Sequence, residues 1–249
     1  MGVVKKLKHL CSHSIQPGDN YWLLAQQYNT VAEEILKANP GVNPNHLRVG
    51  QYIAIPVSET KYQSRQLNHC ISQAEVDYRN DMRSLWEEHV AWTRMAIISL
   101  TFTLPDIDFV IARLLQNATD MGNMIRRLYG DDAATAYANL IKEHLLIAAD
   151  LVKAALAGDQ QAAMTAEKKW YANADQIAVF LSSVNRYLPE NAVREMFYKH
   201  LDLTKQEAVS MINKDYQKDI EVYDAIEEQA RGIADTISDA MVKAYPETF

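Results

Sequence analysis

Residues 13–56 read HSIQPGDNYWLLAQQYNTVAEEILKANPGVNPNHLRVGQYIAIP, and this stretch decides the fold of the first part of the chain. Residues 14–16 favour a short strand, two stretches with apolar residues at helical spacing follow, and residues 51–55 alternate as a strand does. The sequences PGD at residues 17–19 and NPG at residues 39–41 are typical of turns. The order strand–helix–helix–strand therefore predicts a small α+β module.

Local signals support the two predicted helices of this module. Trp22 and Leu23 are expected on the apolar, core-facing side of the first helix. Thr30 followed by Glu33 predicts a capping box at the start of the second helix, in which each side chain binds a backbone N–H group of the other residue. Pro40 ends the second helix because proline has no N–H group to donate.

This arrangement resembles the LysM domain, and the resemblance rests on the residues that match the pattern of that family. The matching positions are Gln16-Pro17-Gly18-Asp19, Trp22, Ala25, Tyr28, Thr30, Ile35, Leu36, Asn39, Leu47, Val49-Gly50-Gln51, Ile53, Ile55 and Pro56. The resemblance implies a noncatalytic module that binds N-acetylglucosamine-containing glycans, such as peptidoglycan or chitin. It covers residues 13–56 and says nothing about the rest of the chain.

The same resemblance implies a sugar groove between two loops, one after the first strand and one after the second helix. The residues carried over to this groove are Gly18, Asp19, Asn20 and Tyr21 on one side, and Asn39, Pro40, Gly41 and Val42 on the other. The family's usual Thr-Leu pair is Asn20-Tyr21 here, and asparagine also caps helices well. The alternative is that these loops only fold the module, because short turns of this kind are needed structurally in any case.

The distribution of charge separates this first part from the rest of the chain. Residues 1–58 contain five Lys and Arg and three Asp and Glu, whereas residues 59–249 contain twenty and twenty-nine. The acidic second part argues against nucleic acid and against an anionic membrane surface as partners, since both attract clustered Lys and Arg. No stretch approaches the roughly 20 apolar residues that a membrane span needs.

Residues 61–249 are poor in glycine and proline and predict an all-α bundle of about six helices. The first helix is expected from about residue 61 to residue 100, and the second ends at Gly130. Helices three and four meet at Gly158, and the break between the last two is expected near Asn213. The region resembles an uncharacterised helical region found behind LysM modules in spore-forming Gram-positive bacteria.

An internal repeat indicates that these helices form three related αα-hairpins. His89, His144 and His200 occupy the same position of a recurring six-residue segment, at intervals of 55 and 56 residues. Asn117 and Asn173 are 56 residues apart, and each lies as far beyond a hairpin turn as its histidine lies before it. Each hairpin is therefore expected to place one histidine and one amide or carboxylate at the same height.

Three interpretations of this layer remain open. The histidines could be structural clamps that fix the packing of neighbouring helices, ligands of a divalent transition metal, or an acid–base pair for catalysis. The chain lacks the spacing of known di-iron and zinc motifs. The candidate metal ligands are His89, Asn117, Asp120, His144, Asn173, Asp175, His200 and Glu228.

The sequence thus predicts an N-terminal extension over residues 1–12, a LysM-like module over residues 13–56, a linker over residues 57–60 and a helical bundle over residues 61–249. The expected function is noncatalytic glycan binding at a cell wall or spore envelope, with the bundle serving structure or assembly. Residues 1–12 lack the apolar run of a signal peptide, so deposition from the mother-cell cytoplasm of a spore former or a truncated start are the alternatives. A single module binds weakly, so self-association is expected to add avidity. The alternative function is a metal-binding or redox bundle that LysM localises.

Overall fold

The computed structural model describes residues 8–58 and 71–249 of the chain. They form two compact units, one of residues 8–58, 71–78 and 248–249, and one of Arg79–Glu247. The predicted fold class is confirmed: a small sheet with two short helices is followed by a long all-α region.

The first unit contains a three-stranded antiparallel sheet and two short helices. Its elements are β1 (Lys8–Ser14), α1 (Tyr21–Gln27), α2 (Ala32–Ala38), β2 (Tyr52–Ser58) and β3 (Ile71–Ser72). β1 lies in the middle, with β2 on one side and β3 on the other. The register pairs Ser14 with Tyr52 and Cys11 with Ile55. The core beneath the sheet includes Leu24 and Ile35, which are fully buried.

Several expectations for this unit need correction. The first strand was predicted at residues 14–16, but β1 runs from Lys8 to Ser14. It pairs along its whole length with β2, so residues 8–12 belong to the sheet and not to an extension. β2 continues through Pro56 to Ser58, so residues 57–58 are strand and not linker. The expected helical segment over residues 61–70 lies outside the described residues, and the first long helix begins at Gln73.

The predicted details of the two short helices are also partly wrong. Trp22 and Leu23 point to solvent, with 64% and 43% of their surfaces exposed, because Tyr21 and Leu24 occupy the core-facing positions. The residue that precedes α2 is Val31, and no side chain caps this helix, so Thr30 and Glu33 do not form the capping box. At α1, Asn20 is the N-cap, and its Oδ1 accepts the Leu23 N–H at 2.9 Å.

The all-α region has five helices in the described residues, and a break inside the second of them makes six helical segments. The helices are α3 (Gln73–Thr101), α4 (Ile107–Leu156), α5 (Gln160–Val184), α6 (Glu190–Ile212) and α7 (Tyr216–Ala244). α4 is interrupted at Gly130, whose φ of 82° and ψ of 179° are not helical. A Cβ at Gly122 would lie 2.6 Å from the Ala134 oxygen, so the two arms of α4 pack closely and only glycine fits between them.

Three hairpin turns in this region share one backbone arrangement. In each turn, one residue adopts the left-handed conformation. The backbone N–H of the next residue donates to the carbonyl oxygen five residues before it, as in a Schellman motif. The left-handed residues are Thr103, Gly158 and Lys214, spaced by 55 and 56 positions. The closing bonds run from Leu104, Asp159 and Asp215 to Ser99, Ala154 and Ser210, at 2.9, 3.0 and 2.9 Å.

Candidate functional site

The three histidines of the helical region make the same pair of contacts in each hairpin. An amide side chain on the second helix accepts a hydrogen bond from the histidine Nδ1–H and donates its own N–H to the backbone oxygen four residues before that histidine. The pairs are His89 with Asn117 at 3.3 Å, His144 with Asn173 at 2.9 Å and His200 with Gln229 at 3.0 Å. The accepting backbone oxygens belong to Leu85, Leu140 and Met196, at 2.9, 3.1 and 3.0 Å. We call this arrangement the His–amide clamp.

The clamp fixes the protonation of each imidazole. A backbone oxygen can only accept, so the amide NH2 must face it and the amide oxygen must face the ring. The histidine Nδ1 is then the donor, and a neutral ring keeps a free electron pair on Nε2. In the second hairpin an independent contact agrees with this assignment, because the Trp170 indole N–H donates to the His144 Nε2 at 3.0 Å.

Burial keeps the three rings neutral. Each histidine exposes 3% of its surface, and removing a charged imidazolium from water is costly. Desolvation, with a smaller contribution from the nearby His200, lowers the pKa of His144 to about 3. Desolvation also lowers the pKa of His200 to about 4 and holds the pKa of His89 well below its ordinary value.

The histidines lie in one aromatic layer, but the expected carboxylates do not join them. The His89 and His200 rings are 5.6 Å apart, and Trp86 packs against both. Asp120 instead accepts a hydrogen bond from Gln116, and Asp175 binds Arg194 and Tyr198. Glu228 is exposed, and its neighbour Gln229 takes the place in the clamp.

These positions follow from helix geometry. Asp175 is two residues after Asn173 and Glu228 is one before Gln229, so their side chains leave the helix in directions away from the clamp residue. Among the described residues no group of three or more His, Cys, Asp and Glu side chains is placed to hold a metal ion. The structure thus brings together His89, His144, His200, Asn117 and Asn173, and separates the three predicted carboxylates from them.

The loop after β1 is held in place by its own polar side chains. Asp19 Oδ2 accepts hydrogen bonds from His13 Nε2–H and from the Gln16 backbone N–H, both at 2.7 Å. With Nε2 donating, His13 Nδ1 accepts from the Tyr28 hydroxyl at 2.8 Å. Gly18 stands between them with φ of +93°, a conformation that glycine adopts without strain.

The loop after α2 is anchored by a single buried amide. Asn39 Nδ2 donates to the backbone oxygens of Ile35 and Ala54, and Asn39 Oδ1 accepts the Ala54 N–H, all at 2.7 Å. One side chain therefore joins the end of α2 to the middle of β2. Pro40 and Gly41, which follow, are exposed, and Gly41 has φ of +94°.

Comparison with known proteins identifies this first unit. The family model of the LysM domain matches residues 13–56. The chain carries a LysM domain. No curated protein and no solved structure matches the chain. None of the helices in the described residues has a stretch long and apolar enough to span a bilayer.

The LysM match supports glycan binding in general, and the geometry divides the eight predicted groove residues into two sets. Asp19, Asn20 and Asn39 already bind backbone groups through their side chains, and Tyr21 is buried in the core. The remaining residues present backbone and small side chains at the surface. They are Gly18, Pro40, Gly41 and the half-buried Val42.

Sequence reasoning missed a buried cluster of charges in the helical region. Arg94 on α3 binds Glu207 on α6 at 2.7 Å and Asp219 on α7, and its guanidinium lies 4.7 Å from the centre of the Tyr223 ring. Glu207 and Asp219 have almost no exposed side-chain surface. Burial raises the pKa of Glu207 to about 7, although Arg94 acts in the opposite direction. No local motif signals this cluster, because Arg94 is 113 positions from Glu207 and 125 positions from Asp219.

Proposed function

We propose that this protein is a noncatalytic binder of N-acetylglucosamine-containing glycans such as peptidoglycan, and that the LysM domain is its binding part. The match of residues 13–56 to the LysM family is the observation that carries the proposal. The groove lies between the loop of Gly18–Tyr21 and the loop of Asn39–Val42.

The two loops support this proposal because each is held rigidly while its outer surface stays open. Asp19 and Asn39 bind backbone groups at 2.7 Å, so little order has to be gained when a glycan binds. Gly18 and Gly41 leave backbone groups accessible because they carry no side chain; a Cβ at either position would meet nothing within 4 Å. A sugar is then recognised mainly by backbone N–H and C=O groups of the two loops.

A LysM domain is typical of proteins associated with the cell wall, and the spore envelope is the finer location that we propose. The resemblance of the helical region to regions behind LysM modules in spore-forming Gram-positive bacteria supports it. In this setting the bundle serves structure or assembly, and self-association of the chain would strengthen attachment through several weak sites at once.

The His–amide clamps support a structural role for the bundle rather than a metal site or an acid–base site. Each clamp satisfies one ring nitrogen and one backbone oxygen in the core, and in the second hairpin Trp170 already binds the electron pair on His144 Nε2. Elemental analysis of natively purified protein beside the triple variant His89→Ala, His144→Ala, His200→Ala tests this role. Stoichiometric metal in the parent and none in the variant would establish the metal-binding alternative.

Co-sedimentation of the full chain with insoluble peptidoglycan tests glycan binding. We expect the protein in the pellet, released by soluble N-acetylglucosamine oligomers and not by glucose oligomers of the same length, which lack the acetamido groups. The supernatant should contain no released wall fragments. Protein that stays in solution would contradict the proposal, and released fragments would contradict its noncatalytic character.

A further inference from the structure

The helical unit contains, besides the clamps, an apolar cavity of about 150 Å3. Its walls come from α3, both arms of α4, α5 and α6. Leu100, Ala155 and Ile212 line it, and each is the last or next-to-last residue of its helix. The cavity therefore lies at the end of the bundle where the three hairpin turns are.

Small side chains create this space. Six alanines line the cavity, and they come from four helices: Ala96, Ala148, Ala149, Ala155, Ala163 and Ala208. The layer around the clamps is filled instead by large rings such as Trp86 and Phe197, which are almost fully buried. Protein interiors are normally close-packed, so a row of alanines facing one space from several helices leaves room for another molecule.

The polar groups in the wall already have partners inside the protein. The Thr93 hydroxyl donates to the His89 backbone oxygen at 2.7 Å, and the Thr204 hydroxyl donates to the His200 oxygen at 2.9 Å. The Trp170 N–H is bound by His144. Lys205 and Glu167 pair with each other. A ligand in this cavity consequently finds methyl and methylene groups and no unpaired donor or acceptor on these residues.

The ion pair marks the entrance. The Lys205 and Glu167 side chains are 44% and 31% exposed, and Val209, one turn after Lys205, is 45% exposed. All three line the cavity, so it reaches the surface between α5 and α6. A molecule can enter there by displacing two solvated side chains and no part of the core.

We propose that this cavity is a binding site for a small, uncharged, apolar molecule. The size and lining set the class: an apolar cavity of about 150 Å3 in another protein stays dry and binds benzene, whereas drug-sized ligands occupy about 300–1,000 Å3. The ligand is therefore one aromatic ring or a short alkyl chain, including the end of a longer chain that extends past Lys205.

Titration of the full chain with benzene and, separately, with n-hexane tests the proposal. It also distinguishes an aromatic ring from an alkyl chain as the ligand. We expect saturable binding of one molecule per chain. A ligand that binds only the folded state, present at a free concentration of about 100 times its dissociation constant, should raise the ratio of folded to unfolded bundle about 100-fold. A response to benzene alone indicates a ring, and a response to hexane alone indicates an alkyl chain.

Two filled variants and one matched control locate the site. Ala208→Leu and Ala148→Leu place the same added atoms in the cavity from two different helices, and we expect both to abolish binding. Ala172→Leu adds those atoms at an exposed position of α5 outside the cavity, and it should bind like the parent. The proposal is wrong if neither probe stabilises the parent. It is also wrong if a filled variant, Ala208→Leu or Ala148→Leu, folds and still binds the probe. Should one of them fail to fold, the other decides.

Discussion

The LysM domain and the helical bundle both depend on buried amide side chains, but they use them for opposite purposes. In the LysM domain, Asn39 binds backbone groups of α2 and β2, 4 and 15 positions away in the chain. In the bundle, Asn173 binds a neutral histidine and a backbone oxygen of a different helix, 29 and 33 positions away.

This difference explains why the loops of the LysM domain, and not the clamps of the bundle, are suited to binding another molecule. In the small domain the amide holds a loop whose next residues, Pro40 and Gly41, are exposed, so rigidity and access occur together. In the bundle the histidines of the clamps are buried, and the clamps fix the height at which the helices meet. The surface loops of the first unit are therefore suited to recognition, and the core of the second is suited to holding three hairpins in register.

Lowering the pH should destabilise the helical bundle, and this is the largest effect that we expect. Unfolded histidine titrates near pH 6.5, whereas the folded-state pKa is about 4 for His200 and about 3 for His144. Between these values the unfolded chain binds more protons, so stability is lost as pH falls from about 6.5 to about 4. His144 and His200 should each cost about 3 kcal/mol by pH 4, from about 1.4 kcal/mol per pH unit.

Urea unfolding of the bundle between pH 7 and 4 measures this effect. His46→Ala, at an exposed histidine of the LysM domain, is the control and should leave the pH dependence unchanged. Glu207 acts in the opposite direction over part of this range, because burial raises its folded-state pKa to about 7 and its protonation favours the folded state. The net loss should therefore be smaller than the sum over the histidines, and a bundle whose stability does not fall from pH 6.5 to 4 would show that the histidines are not buried as neutral rings.

Loss of one clamp should have the next largest effect. Asn173→Ala leaves the His144 Nδ1–H without a partner in the core and removes the second hydrogen bond to the Leu140 oxygen, which keeps its helical bond from the His144 backbone N–H. An unsatisfied buried group costs about 1–3 kcal/mol and a lost hydrogen bond about 1 kcal/mol, so the variant should lose roughly 3 kcal/mol of unfolding free energy.

Two further variants calibrate that loss. Gln229→Ala, at a half-buried member of the third clamp, should cost less because water can reach the freed groups. Asn139→Ala, at an exposed position of the same hairpin as Asn173, should stay within about 0.5 kcal/mol of the parent. Equal losses for Asn173→Ala and Asn139→Ala would contradict the clamp.

The corresponding change in the LysM domain should be somewhat smaller. Asn39→Ala removes three hydrogen bonds to backbone groups of Ile35 and Ala54, but these groups lie nearer to solvent in a small unit. We expect a loss of about 2 kcal/mol, measured by hydrogen exchange of the domain. Asn45→Ala, at an exposed loop position, is the matched control, and the anchor is refuted if the two variants exchange alike.

The smallest change in stability should give the clearest change in function. Gly41 and Gly50 have φ of +94° and +83°, and a Cβ at either would meet nothing within 4 Å. Gly41→Ala and Gly50→Ala should therefore each cost about 1 kcal/mol through backbone strain alone. Only Gly41 lies in the proposed groove, so only Gly41→Ala should weaken glycan binding several-fold in a co-sedimentation assay. Equal weakening by both variants would place the effect in stability and not in the groove.

Sequence patterns predicted the helices and turns that depend on neighbouring residues. They did not predict the full extent of the strands, which depends on pairing with distant segments. The two short helices of the LysM domain and the turn near Asn213 follow from nearby residues and were predicted. The extent of β1 was not, because its register is set by pairing with residues of β2 that are 38 to 50 positions away. The short strand β3 pairs with Cys11 and Ser12 from the far side of the domain, and no local signal marks it.

The same distinction applies to the candidate sites. Equal distances from a hairpin turn correctly brought His89 to Asn117 and His144 to Asn173. Asp175 was misplaced because two positions along a helix turn the side chain to another face. Six alanines from four helices line the cavity. The sequence could not predict it, because nothing near an alanine in the sequence indicates whether it faces a cavity or a packed neighbour.

Chemical-shift mapping of the full chain with a soluble N-acetylglucosamine oligomer tests the central claim most directly. The account predicts saturable shifts of the backbone amides of Gly18–Tyr21 and Asn39–Val42 except at Pro40, which has no amide proton, and unchanged amides around His89, His144 and His200. No shifts at either loop, or saturable shifts confined to the helical bundle, would contradict it.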